Sequence, residues 1–394
     1  MLTRNAPIFS PRANWNNPVV SEYSFKTSII ESRDGHEQRE AMRQTARQAT
    51  TMATLMTRDH ITRLRADLTS GHGAEIACRA EWLGTQTSVA AASGNTLTFE
   101  ATPDWMVEGG IIIATTATHE DLLTISATTA TTATVEEAIS TAYPAGTVIH
   151  KALPVRFPET FTVSASTETI WTANNRFEVI PGRQVETFDA TPGETFEGRE
   201  LFMRKPNWRS QPEINFMQNR DKLDVGIGRD FILPYGLAPH YMAQYLFSGL
   251  RPTEAHAIID FFLRMRGRRN GFWSPIWSRE FTPSETTIAG ANTFRVDGSD
   301  FRTVYGGSPV YVAMVAVWDD GTHQANRLTA IGGTTDSDLT FTDAWINPVT
   351  EATKIYWLPY CRFNADTIEA QWLTMAACEI TMAIKTIYAP EPEV

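Results

Sequence analysis

Cysteine is scarce in this chain of 394 residues: Cys78, Cys361 and Cys378 are its three. No two share the CxxC spacing of a zinc or redox site, and all lie in predicted strands, where cysteine behaves as a small buried hydrophobe. Long apolar runs are missing too. No stretch reaches eighteen apolar residues and the first fifteen lack an apolar leader core, so no membrane-spanning segment is predicted and the protein is expected to be made and kept in water. The eight histidines are scattered, with no HExxH or HxH to set two metal ligands on one face beside a carboxylate. GxSxG, Walker A and a complete GxGxxG are absent. The carboxylate pairs Asp319-Asp320 and Asp336-Asp338 fall in predicted turns, where aspartate serves the local backbone. These absences lead to the expectation of no enzyme, no metal and no cofactor.

Positive charge is in deficit as well. Lys and Arg number 34 against 45 Asp and Glu, a formal net charge of −11. That balance argues against a dedicated nucleic-acid binder, whose affinity rests on a basic field over phosphates. Two local basic clusters stand out against it: Arg33, Arg39, Arg43 and Arg47, and Arg264, Arg266, Arg268 and Arg269. Length predicts two to four domains, and 42% hydrophobic residues can fill their cores.

What is present is organised around residues 251–277. Pro252, Thr253 and Glu254 suit a helix's first turn, since proline there loses no useful donor and the acid meets the positive end of the dipole. Ala255, Ile258, Ile259 and Phe262 then share one face, extended by the stem of Arg266, and Gly267 stops the helix. A basic turn leads into an aromatic run, residues 272–277, predicted as a buried strand. The same unit precedes it. Thr57 can cap a helix with Ile61, Leu64 and Leu68 on one face, Gly71 and Gly73 break it, and residues 74–82 follow as a strand. There Ile76, Cys78, Ala80 and Trp82 alternate with Glu75, Ala77, Arg79 and Glu81, which predicts a sheet with one wet face.

Subtraction turns this likeness into a repeat. Leu250 minus Leu55 and Trp277 minus Trp82 both give 195, while Trp208 minus Trp15 and Phe202 minus Phe9 both give 193. Leu153-Pro154 and Arg156-Phe157 reappear as Leu358-Pro359 and Arg362-Phe363. The reading is an internal duplication. Residues 1–20 are predicted as a Pro/Asn-rich irregular arm pinned by Phe9 and Trp15, and residues 21–54 as a long charged hairpin turning at Arg33-Asp34-Gly35. Such a hairpin has too little apolar surface to stand alone, so the flanking sheet or a neighbouring subunit must hold it. The texture of residues 85–156 and 286–361, rich in Thr, Ala, Val and Ile between turn signals, predicts an inserted small β-barrel in each half. The fold class expected is mainly β with two short helices, a β-rich α+β chain. Residues 1–84 with 157–195 form one core, and residues 196–285 with 362–394 the other. Residues 181–198 read as a surface linker and the last six as a solvated tail.

Two motifs carry a resemblance: SRDGHEQREAMRQTARQ at residues 32–48 and FFLRMRGRRNGFWSPIW at residues 261–277. With the alternating small β modules they resemble tail-tip proteins of long-tailed bacteriophages and prophages, of the distal tail and baseplate hub class. The resemblance implies a tail-tube-like β-sandwich with one helix, assembled in rings around the tail axis, and a virion structural protein without an active site. Its implied partners are copies of itself, the tail tube, the tape-measure protein and other tail-tip proteins, with DNA only in transit; its implied place is the virion tail tip, after synthesis in the host cytoplasm. Holding two tube-like units, one chain departs from the simplest pattern. Three chains would place six units around the axis, with a hexamer as the runner-up. Arg33, Arg39, Arg43, Arg264, Arg266, Arg268 and Arg269 are the candidate subunit contacts. Those at 264–269 are expected to avoid the channel, where clustered cations would hold phosphates. The hairpin at residues 33–40 and its partner at 218–231 are expected to line the ring or reach the adjacent subunit. The second reading is a carbohydrate-binding or adhesin-like β protein of the virion that grips host sugars through exposed tryptophans.

Overall fold

The structure, a computed structural model of the chain, describes residues 6–70, 75–91, 94–116, 118–139, 142–181, 191–207, 209, 212–224, 226, 230–235, 238–298 and 300–388. The predicted tail, most of the predicted linker, the helix-breaking Gly71 and Gly73, and Trp208 lie outside these residues. The fold is mainly β, with 48% strand and 9% helix. Beside the two expected helices, Arg58–Ser70 and Pro252–Met265, there is a third, Asp300–Tyr305, in the second inserted module. At six residues it is too short to show a helical period in sequence.

The second helix follows its sequence closely. Glu254 accepts the Arg251 backbone N–H at 2.9 Å, closing the first turn. Ala255, Ile258, Ile259 and Phe262 are buried as expected, joined by Phe261 and Met265. Arg266 (φ 54°) and Gly267 (φ 63°) are both left-handed and end the helix. Only glycine fits the second position, because a Cβ there would sit 2.8 Å from the Asp366 carboxylate. The strand that follows is shorter than predicted, Gly271–Trp273.

Strand pairing in the first half runs Val19–Ser24, Arg47–Thr57, Ile170–Val179, Val148–Arg156, Glu75–Gln86. In the second half it runs Glu213–Met217, His240–Leu250, Ala377–Thr386, Tyr360–Phe363, Gly271–Trp273. In each, a helix leaves the second strand of this order and returns to the fifth. Register agrees as well: Met52 faces Asn175 and Phe247 faces Ile380, and 247 minus 52 is 195, the offset read from sequence. The N-terminal arm pairs Ile8 with Ala77, as Leu201 pairs with Trp273 in the second half, both parallel.

That arm overturns the predicted wet face of Glu75–Gln86. Ala77, Arg79 and Glu81 are buried, because residues 7–13 lie over them. Phe9 N–H donates to the Ala77 carbonyl, the Arg79 guanidinium donates to the carbonyls of Phe9 and Ser10 and to Glu120, and Ala13 N–H donates to Glu81. A polar alternation reads as solvent-facing only when nothing else in the chain covers it. The long hairpin is corrected too. It breaks into the sheet strands Val19–Ser24 and Arg47–Thr57 and a separate ribbon, Thr27–Glu31 with Glu37–Ala41.

The inserted modules are five antiparallel strands each, in the same order. The first runs Thr96–Thr98, Thr132–Val135, Glu120–Thr128, Ile111–Thr115, Val148–Arg156; the second runs Thr293–Val296, Ser337–Phe341, His323–Gly332, Ala313–Val317, Lys354–Trp357. The chain that precedes each module bridges its first and last strands: Thr87 N–H donates to the Thr147 carbonyl and Ser88 N–H to the Thr98 carbonyl in one, Ile276 N–H to the Trp357 carbonyl and Ser284 N–H to the Arg295 carbonyl in the other. Their cores centre on Leu97, Ile125 and Val135 in one, and on Phe294, Phe341 and Trp345 in the other.

Candidate functional site: the seam between the halves

The halves meet edge to edge. Val19–Ser24 of the first pairs antiparallel with Thr367–Thr374 of the second, from Val19↔Trp372 to Ser24↔Thr367, so one sheet runs through both. Alternate side chains of this seam are buried because the second helix and neighbouring strands cover them: Trp372 stacks on Trp82 with centroids 5.9 Å apart, its indole N–H donates to Ser21 Oγ, and Phe25 packs against Phe262. The strands supply backbone hydrogen bonds and the aromatics supply area removed from water.

The ribbon Thr27–Glu31/Glu37–Ala41 then latches across the seam. Arg362 Nε and Nη2 donate to the two Glu37 oxygens at 2.7 and 2.8 Å, and Lys385 Nζ lies 3.0 Å from Glu37 and 3.2 Å from Glu31. Burial pushes the Glu37 carboxyl up, but the hydrogen bonds and charges of Arg362 and Lys385 outweigh it and hold the pKa at about 2. At the other end Asp366 receives the Thr27 N–H and hydroxyl at 2.7 and 2.8 Å and the Arg268 N–H at 3.0 Å. The ribbon belongs to the first half by sequence and to the second by its bonds.

Most of the arginines singled out in sequence lie at or beside this seam. Arg268 donates to the Thr27 carbonyl and pairs with Asp366; Arg266 reaches Gln44; Arg43 donates to the Ser24 carbonyl. Arg33 lies over the Tyr235 ring at 5.1 Å. Arg39 is half-buried, and burial draws its pKa down while the Glu37 charge opposes. Arg264 turns elsewhere, to a two-oxygen contact with Glu200 at 3.0 and 3.1 Å. Arg269 is half-buried in the turn after the helix. Sequence reasoning missed Glu37, Arg362, Lys385 and Asp366. The signal available was a charged residue inside an otherwise buried run, as Arg362 is between Cys361 and Phe363; its partner lies 325 positions away.

Elsewhere the three cysteine thiols are buried, which pushes Cys78 and Cys378 up to about 12 and Cys361 higher. His150 sits 3.7 Å from Glu81 in the core, and burial with the charges of Arg79 and Arg12 depresses its pKa to about 3. A pocket of about 760 Å³ beside the second helix is lined by Trp105, Lys151, His256 and Asp260 among others. Among the described residues no group of three or more His, Cys, Asp or Glu is placed to hold a metal, and no helix is long and apolar enough to cross a membrane. No protein-family model and no curated protein matches the chain.

Proposed function

We propose that the chain is a structural component of a phage tail tip, in which two copies of one tube-like unit stand side by side and three chains close a ring of six units around the DNA exit channel. The seam is the observation that carries this reading. Two halves with one pairing order, joined strand to strand and latched by a hairpin, are a ready-made ring segment, since a contact that repeats head to tail generates a ring when its rotation closes. The resemblance of residues 32–48 and 261–277 to tail-tip proteins supports the same reading. On it the partners are further copies of the chain and the neighbouring tail-tube and tail-tip proteins. The sugar-binding alternative would have to rest on Trp15, Trp105, Trp171 and Trp318, which are half-buried, since Trp82, Trp273, Trp277, Trp345, Trp357 and Trp372 are buried. Native mass measurement with negative-stain microscopy of the purified protein tests the proposal. Trimers seen as six-lobed rings with a central channel are expected; a monomer at every concentration, without rings, would overturn it.

A further inference from the structure

Each part of the seam has a counterpart elsewhere in the chain that, among the described residues, pairs with no second strand on its outer side. The counterpart of Val19–Ser24 is Glu213–Met217, which pairs on one side with His240–Leu250 and is exposed along its whole length. Its Phe216 rests against Tyr241 yet is 65% exposed. The counterpart of Thr367–Thr374 is a stub, Ser164–Ala165, paired with Ile170–Val179 and exposed. Two sheet edges are thus open at opposite ends of the sheet path, one in each half.

The latch has a counterpart too. The ribbon Arg220–Leu223/Phe231–Pro234 repeats the first one in register: Thr27 faces Ala41 and Arg220 faces Pro234, and 220 minus 27 and 234 minus 41 both give 193. The same offset carries Glu31 to Asp224 and Glu37 to Asp230. Every residue of this second ribbon is exposed, including Leu223, Phe231, Ile232 and Leu233. A two-stranded ribbon with that much apolar surface in water is marginal by itself.

The place where such a ribbon would seat is empty in the first half. The first ribbon seats on Arg362-Phe363 and on Lys385, which pairs with Arg362; Arg156, paired in the same way with Glu178, borders with Phe157 an open groove of about 740 Å³. Arg43, Arg47, Arg156 and Arg176 line it against two carboxylates, Glu159 and Glu178. Arg362 is 4% exposed in its clamp, whereas Arg156 is exposed at the end of its strand.

We propose that the contact between chains repeats the seam within the chain: the free ribbon of one copy seats in the arginine-lined groove of the next, with Asp230 on Arg156, while Glu213–Met217 extends the neighbour's sheet antiparallel along residues 158–165. This rests on the ring reading above and names the surfaces that make the ring. The occupant is a second copy because the acids at 224 and 230 stand where Glu31 and Glu37 meet their cations, Asp230 lying 2.6 Å from Lys222 of its own ribbon in the free chain, and because the intramolecular seam joins the counterparts of these two edges.

The test is a charge exchange followed by mass photometry and analytical centrifugation, with circular dichroism to confirm folding. Arg156 is exposed and the Asp230–Lys222 pair lies within the exposed ribbon, so the single variants are expected to keep the fold, and Asp230→Asn serves beside Asp230→Arg as the variant that adds no charge next to Lys222. Arg156→Asp and Asp230→Arg are each expected to weaken association by roughly a hundredfold or more, and the double variant to restore a large part of it. A parent that forms rings while neither single variant weakens them overturns this interface and leaves the ring reading standing. A parent that is monomeric throughout overturns both.

Discussion

Glu37 is the residue on which the latch turns. Two cations, Arg362 and Lys385, meet at its carboxylate, and all three side chains are nearly buried. Removing one partner of such a cluster leaves buried charge without compensation, so Glu37→Gln is expected to cost about 3–5 kcal/mol, read from chemical denaturation beside the parent. The pH dependence has a definite sign. The folded pKa of about 2 lies below the ordinary 4.5, so the stabilisation from Glu37 is fully present above pH 4.5 and is lost as pH falls toward 2. The stability difference between parent and Glu37→Gln should therefore shrink across that window; a difference that stays constant down to pH 2 would show that the carboxylate charge does not hold the latch.

At the scale of elements, the helix Pro252–Met265 joins the core of the second half to the seam. Phe262 is 1% exposed and touches both Phe25 and Phe363. Phe262→Asp puts an unpaired charge in place of that ring and is expected to cost about 5 kcal/mol, enough to unfold the second half. Arg268→Ala removes a half-exposed pair with Asp366 and one hydrogen bond, about 1 kcal/mol, and should leave the fold intact. Equal melting temperatures for Phe262→Asp and the parent would show the helix face to be inverted. This helix was legible in the sequence because its start, apolar face and stop are all local. The offset between halves was read from aromatics at fixed spacing, and the two halves share one strand-pairing order. Contacts across 70 or 325 positions were not legible. Nothing near Glu75–Gln86 announces that the arm lies over Ala77 and Arg79, and nothing near Glu37 announces Arg362, so the wet face was misread and the latch missed. The arginines drew attention through clustering, a local property; several of them bond at the seam, while the deepest charged contact uses isolated residues.

For the whole molecule the consequence is directionality. The open edge of the second half and the open edge of the first are different surfaces, so association through them is head to tail, and closure depends on the rotation between units. The seam fixes that rotation inside one chain. If the contact between chains repeats it, every unit boundary in the ring is alike in design, and alternate boundaries carry Glu37 with Arg362 and Lys385 or Asp230 with Arg156. The cryo-electron microscopy map of the assembled particle tests this most directly. Three chains in a six-lobed ring are expected, with the ribbon Arg220–Leu223/Phe231–Pro234 seated beside Arg156 of the next copy. A ring whose second ribbon projects into solvent, or whose chains meet through other faces, would contradict it.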